Sequence, residues 1–227
     1  MGNGRRNDPD RSGEYVRLVS MTRAELREAI ERGDPVNDEE FDAYLAPAAR
    51  AVAARFWSPV RVAMLAARWL REEGAQNVVD VGAGTGKFCV VAALAEPSMK
   101  FLGIEHRASL VQRARDLATG FAVGRHVFFI EADARTTLIH EFDAIYLFNP
   151  FGENMYPLCD RFDDEVELSV DRMHLDVAAI ELGLTRMRPG ALLLTYHGFG
   201  GSVPDTFELT RETHIETDSL QLWVKRR

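Results

Sequence analysis

The sequence predicts an α/β protein: a doubly wound, mostly parallel sheet of seven strands with helices on both faces, a helical arm in front and an antiparallel hairpin at the end. Three observations predict it. From about residue 75 onward, short apolar runs alternate with helical stretches, the pattern of βαβ units. A glycine-rich turn follows the first run, in VVDVGAGTGKF over 78–88. Two closing strand-like runs, near 205–211 and 219–225, have no helix between them and read as a hairpin.

Residues 1–20 are rich in Gly, Asn, Asp and Arg, which predicts a disordered tail. Thr22-Arg23-Ala24-Glu25 reads as a helix start, and Gly33-Asp34-Pro35 as its stop. Asn37 can cap a second helix over about 38–54. Ser58-Pro59 opens a third, with Ser at the N-cap and Pro at the first helical position, and Gly74 ends it. Residues 21–55 therefore read as a helical arm or lid, and 56–227 as the main domain.

Strands are expected at 78–81, 101–105, 126–130, 142–148 and 191–196, with helices to about Leu94 and over 107–120. The longest helix precedes the fifth strand. Val166, Val170, Met173, Val177, Ile180, Leu184 and Met187 step by four and three, one apolar stripe facing the sheet. Asp163-Asp164-Glu165 would sit at the positive end of its dipole. Met173 and Met187 read as core filling.

Composition narrows the function. The chain has 227 residues, 46% hydrophobic and 27% charged, with a net charge of −8. That charge argues against a surface built for nucleic acid. Cys89 and Cys159 form no C-x-x-C pair, and the six histidines show no metal-ligand spacing, so no metal is expected. No apolar run reaches the ~18 residues of a membrane span, and the polar N-terminus is no secretory signal. The expectation is a cytoplasmic protein with free thiols, of open oligomeric state.

The glycine turn admits three ligands. A phosphate loop needs G-x-x-x-x-G-K-[S/T]; here Val81 stands in place of the first Gly and Phe88 in place of the Ser or Thr. A dinucleotide fingerprint needs G-x-G-x-x-G, and Lys87 occupies its last position. The third reading fits. Asp80-x-Gly82-x-Gly84-x-Gly86 resembles motif I of the class I S-adenosylmethionine-dependent methyltransferases, and the resemblance runs from about residue 56 to the C-terminus. It implies a Rossmann-like sheet, S-adenosylmethionine (SAM) as methyl donor and S-adenosylhomocysteine as product.

The resemblance also implies a cofactor site. Asp80, Gly82, Ala83, Gly84 and Gly86 supply the loop. Glu105, 19 residues after Gly86, falls where the family holds both ribose hydroxyls. Asp133 and Ala134 fall where it meets the adenine. Phe56-Trp57-Ser58-Pro59 resembles the F-x-[S/T]-P element of amino-methyltransferases and would bring Trp57 and Pro59 to the methionine end.

Asn149-Pro150-Phe151 ends the fourth strand, where motif IV of nitrogen methyltransferases reads [D/N/S]-P-P-[Y/F/W]. In that motif the first side chain and a backbone carbonyl accept the N–H bonds of the acceptor, and the aromatic residue packs on it. This chain is one Pro short. Asn149, Pro150 and Phe151 are the candidate catalytic residues, and Asn149 also a cofactor contact. Glu153 is a candidate to hold or deprotonate a cationic amine. Between 131 and 185 there are 13 Asp or Glu against 3 Arg and no Lys, a rim that attracts cations. His197 in HGFGG reads first as structural and second as a base.

The leading expectation is methyl transfer to a nitrogen of a protein or small amine. The alternatives are an adenine-N6 methyltransferase on nucleic acid and a non-catalytic SAM-binding sensor or partner subunit. The FNPF and YHGFGG elements also resemble a group of small bacterial methyltransferases of unassigned substrate.

Overall fold

The computed structural model describes residues 21–226; the tail expected over 1–20 lies outside them. The arm begins with α1 (Arg23–Arg32). Thr22 and Glu25 close a reciprocal capping box at its start, and Gly33 stops it in the left-handed conformation. The single helix expected over 38–54 is instead three short ones: α2 (Asp38–Asp42), α3 (Pro47–Ala51) and α4 (Ala53–Phe56). Pro47 explains the break. It has no N–H to donate, it forces Ala46 into extended backbone, and it is tolerated as the first residue of α3.

Helix α5 (Val60–Glu72) follows. Pro59, not Ser58, is its N-cap and makes no side-chain cap. The first N–H, on Val60, donates to Asp38 Oδ1 at 2.9 Å, while the Ser58 hydroxyl is buried against Tyr146 Oη at 2.8 Å. The arm is thus tied to the start of α5, and Ser58 ties that start to Tyr146 in the fourth strand.

The sheet is built from β1 (Asn77–Val81), β2 (Lys100–Glu105), β3 (Val127–Glu131), β4 (Ala144–Phe148), β5 (Leu192–Tyr196), β6 (Phe207–Ile215) and β7 (Asp218–Lys225). Their order is β3-β2-β1-β4-β5-β7-β6. The first five run parallel, and β7 joins β5 antiparallel as half of the closing hairpin. Order reverses between β1 and β4, which makes their carboxyl ends the switch point where open α/β sheets bind ligands.

Alternate residues of each strand enter opposite cores. Val78, Tyr146, Leu192 and Leu194 face α5, α6 (Lys87–Ala95), α7 (Ala108–Gly120) and the arm. Val79, Ile145, Leu147 and Leu193 face α8 (Val170–Arg186). Helix α6 is buried from Lys87 to Leu94, which suits its all-round apolar sequence.

The long helix corrects its expected start. It begins at Val170 with Ser169 as N-cap, accepting from Arg172 N. Val177, Ile180, Leu184 and Met187 keep the buried stripe, whereas Val170 is exposed. The acids of 163–165 serve other partners: Asp163 pairs with Arg107 at 2.8 Å, and Glu165 accepts from Ser109 N at 3.0 Å, at the start of α7. Residues 152–169 therefore form a strap crossing from β4 to the β2 side, with 3-10 turns over Gly152–Met155 and Leu158–Asp160.

Candidate active site

One cavity of about 310 Å³ gathers the carboxyl ends of β1, β2, β3 and β4 and is roofed by the strap. Its volume is at the lower end of ordinary ligand sites. The glycine turn forms its floor through Gly82 and Gly84. Both have positive φ, +77° and +54°. A Cβ on Gly84 would stand 2.3 Å from the Trp57 ring, and one on Gly82 would stand 2.9 Å from Pro150 Cβ. These two glycines admit Trp57 and the proline after β4 to the same floor.

Glu105 ends β2 with its carboxylate against this floor. Oε2 accepts from Gly84 N at 2.9 Å; Oε1 accepts from His106 N at 2.8 Å and Arg107 N at 2.9 Å. Burial raises its pKa, while these N–H donors oppose the rise by favouring the charged form. An ionised carboxylate offers about four acceptor sites. Three are occupied, so Glu105 keeps room for one further donor, one fewer than the two ribose hydroxyls expected there. Asp80 lies behind the turn, 4% exposed, and lines a small void next to Trp57 rather than the main cavity. Burial pushes its pKa up to about 7, against the Cys89 thiol that donates to it at 3.4 Å. Ala83 is buried in the turn and also lines that small void, while Gly86 caps α6.

Ala134 lines the main cavity, but Asp133 does not. Its carboxylate is held by Arg135 at 2.6 Å and Arg172 at 3.0 Å. The Arg135 hydrogen bond leads in lowering its pKa to about 2. The carboxylate that does reach the cavity from this side is Asp176, buried and paired with Arg172 at 2.9 Å. Its i, i+4 spacing from Arg172 was visible in the sequence.

Asn149, Pro150, Phe151 and Glu153 all line the cavity. Asn149 has φ +39°, and its N–H donates to Gly198 O at 2.9 Å. Its side chain folds over Gly152, where a Cβ would fall 2.3 Å from Nδ2. The Asn149 amide makes no side-chain hydrogen bond among the described residues. Glu153, in contrast, is committed: it meets Arg107 at 2.9 Å and accepts from Phe162 N at 2.6 Å. It ties the strap to β2. Arg107, 7% exposed between Glu153 and Asp163, had no local signature. Trp57 lines the cavity and donates from Nε1 to Ala49 O at 2.9 Å; Pro59 lines an adjoining one. His197, at φ +59°, is held by Asp218 at 2.7 Å.

The expected cofactor fits this site. The glycine floor, the open acceptor position on Glu105 and the apolar walls Ile104, Leu110 and Ala134 converge on one cavity at the switch point. Among the described residues no three His, Cys, Asp or Glu side chains come together as a metal site, and no helix is long and apolar enough to cross a membrane.

Residues 72–169 match the family model described as a methyltransferase domain. No curated protein sequence matches the chain. Several solved structures share the fold. An RNA methyltransferase from Salinibacter ruber, in complex with S-adenosyl-L-homocysteine, is 18% identical over 71% of this chain and 90% of its own, with TM-score 0.51. A Klebsiella pneumoniae protein provisionally described as an O-methyltransferase is 16% identical over 89% of this chain and 96% of its own, with TM-score 0.56. TrmN from Thermus thermophilus is 17% identical over 77% and 51%, with TM-score 0.52.

Proposed function

We propose that the chain is a class I SAM-dependent methyltransferase and that its acceptor atom is a nitrogen of a protein or a small amine. The observation that carries this reading is the uncommitted Asn149 amide at the end of β4, on the wall of the cavity. The fold neighbours act on RNA and, provisionally, on oxygen, so the likeness itself selects no acceptor.

SAM, when bound, supplies a methyl group activated by its sulfonium, which a nucleophile displaces in line. The chain must hold donor and acceptor and leave the acceptor nitrogen with a free lone pair. Gly82, Gly84, Trp57 and the open site on Glu105 would hold the donor. The Asn149 amide oxygen would accept one N–H of the acceptor and so turn its lone pair inward. Phe151, 7% exposed, gives that loop an apolar base. Glu153 acts here by closing the strap through Arg107, not as a base, because both its oxygens have partners.

The test is incubation of the pure protein with methyl-labelled SAM and a fractionated cell extract. Label that is lost with protease, or that enters the small amines, supports the reading. Label released by nuclease overturns it and favours the adenine-N6 alternative.

A further inference from the structure

A second cavity, of about 360 Å³, lies between the arm and the ends of β4, β5 and the β6–β7 turn. Ala54, Trp57, Phe148, His197 and Thr217 border both cavities, and Phe148 directly precedes Asn149. A molecule in the second cavity would therefore lie one side chain from the candidate catalytic loop.

Its walls have a definite chemistry. Trp57, Phe148 and Tyr196 are aromatic, and Asp38, Glu39, Asp42 and Glu216 are acidic. Lys87 and Arg50 are the cations that face them. The Lys87 side chain, 2% exposed, is clasped by Asp38 at 2.5 Å and Asp42 at 2.6 Å. Asp42 is 7% exposed, and its Oδ1 meets Lys87 as an ion pair without accepting a directed hydrogen bond. Glu39 and Glu216 have no ion-pair partner among the described residues. Four carboxylates against two cations leave negative charge in excess, beside aromatic faces that attract cations.

We infer that this second cavity is the acceptor subsite and that it binds the amine in its cationic form, an alkylammonium group held between Glu39 and Glu216 with its carbon stem against Trp57, Phe148 and Tyr196; loss of one proton to solvent frees the lone pair with which the neutral amine reaches Asn149. The inference rests on the nitrogen-acceptor reading and names the chemical class of the acceptor. It also gives Lys87 a positioning role: by clasping α2 to the start of α6, it holds the arm where it walls the cavity.

The probe is butylammonium, titrated into the full chain saturated with S-adenosylhomocysteine and followed by ligand-observed NMR. Butanol serves as the neutral isostere. Butylammonium is expected to bind about tenfold more tightly than butanol. In the Glu39→Gln/Glu216→Gln variant that advantage should fall at least about threefold, with S-adenosylhomocysteine affinity retained as proof of folding. Equal binding of the two probes, or an advantage that survives both substitutions, overturns the inference. The two readings fail separately. Methyl transfer to oxygen with the ammonium preference intact would sink the nitrogen reading, and methylated amines made by a chain with no such preference would sink the subsite.

Discussion

Trp57 and Gly84 constrain one another. The indole rests where a Gly84 side chain would be, and Gly84 holds a φ of +54° that other residues rarely adopt. Gly84→Ala should therefore cost about 1–3 kcal/mol in denaturant unfolding and weaken SAM binding by calorimetry. Asn149→Ala should act differently. It removes an amide that makes no hydrogen bond among the described residues, so kcat should fall about a hundredfold or more while SAM affinity changes little. An equal loss in both would show that Asn149 serves the cofactor. Asp80 carries a pH signature. Its folded pKa is raised from 3.8 to about 7 by burial, so the folded state binds the proton more tightly than the unfolded chain. Stability from this group is greatest below the unfolded value, falls as pH rises toward 7, and is flat above it. Asp80→Asn should abolish that slope in urea titrations between pH 4 and pH 8.

Among the elements, the strap over 152–169 depends on one buried cation. Arg107→Met would leave Glu153 and Asp163 without their partner and should cost about 3–5 kcal/mol. Adding Glu153→Met should recover part of that loss, which a double-mutant cycle would measure. The central strand β5 is simpler: Leu193→Ala should cost about 2–5 kcal/mol, since the side chain is fully buried against α8. These two cases also show what a sequence makes legible. Strand β5 announces itself as Ala191–Tyr196, because burial on both faces demands a continuous apolar run. Glu105 and the glycine turn are legible because backbone geometry fixes their spacing. Arg107 and Lys87 are not, because their partners lie 56 and 49 residues away. Nothing local distinguishes them from solvated cations. Asp133 misled for a related reason: its position at the end of β3 was right, but Arg135 and Arg172 occupy its carboxylate. The start of α8 misled because acids suited to its dipole were taken by α7 and Arg107. The break at Pro47 was written in the chain, and a continuous helix there ignored the missing N–H.

At the scale of the molecule, the sheet leaves a cavity at its switch point, the strap roofs it, and the arm walls a second cavity beside it. Lys87 joins the arm to the start of α6 and Trp57 packs on the glycine turn, so the two cavities share a boundary. The acidic balance of the chain, −8 overall, suits a cationic acceptor better than a phosphate backbone. The most direct measurement is the identity of the methylated atom. The protein would be turned over with carbon-13-methyl SAM and a cell extract, and the product methyl observed by carbon–proton correlation NMR. The account predicts an N-methyl resonance on a protein or a small amine. An O-methyl resonance, or an N-methyl that leaves with nuclease-released nucleosides, would contradict it.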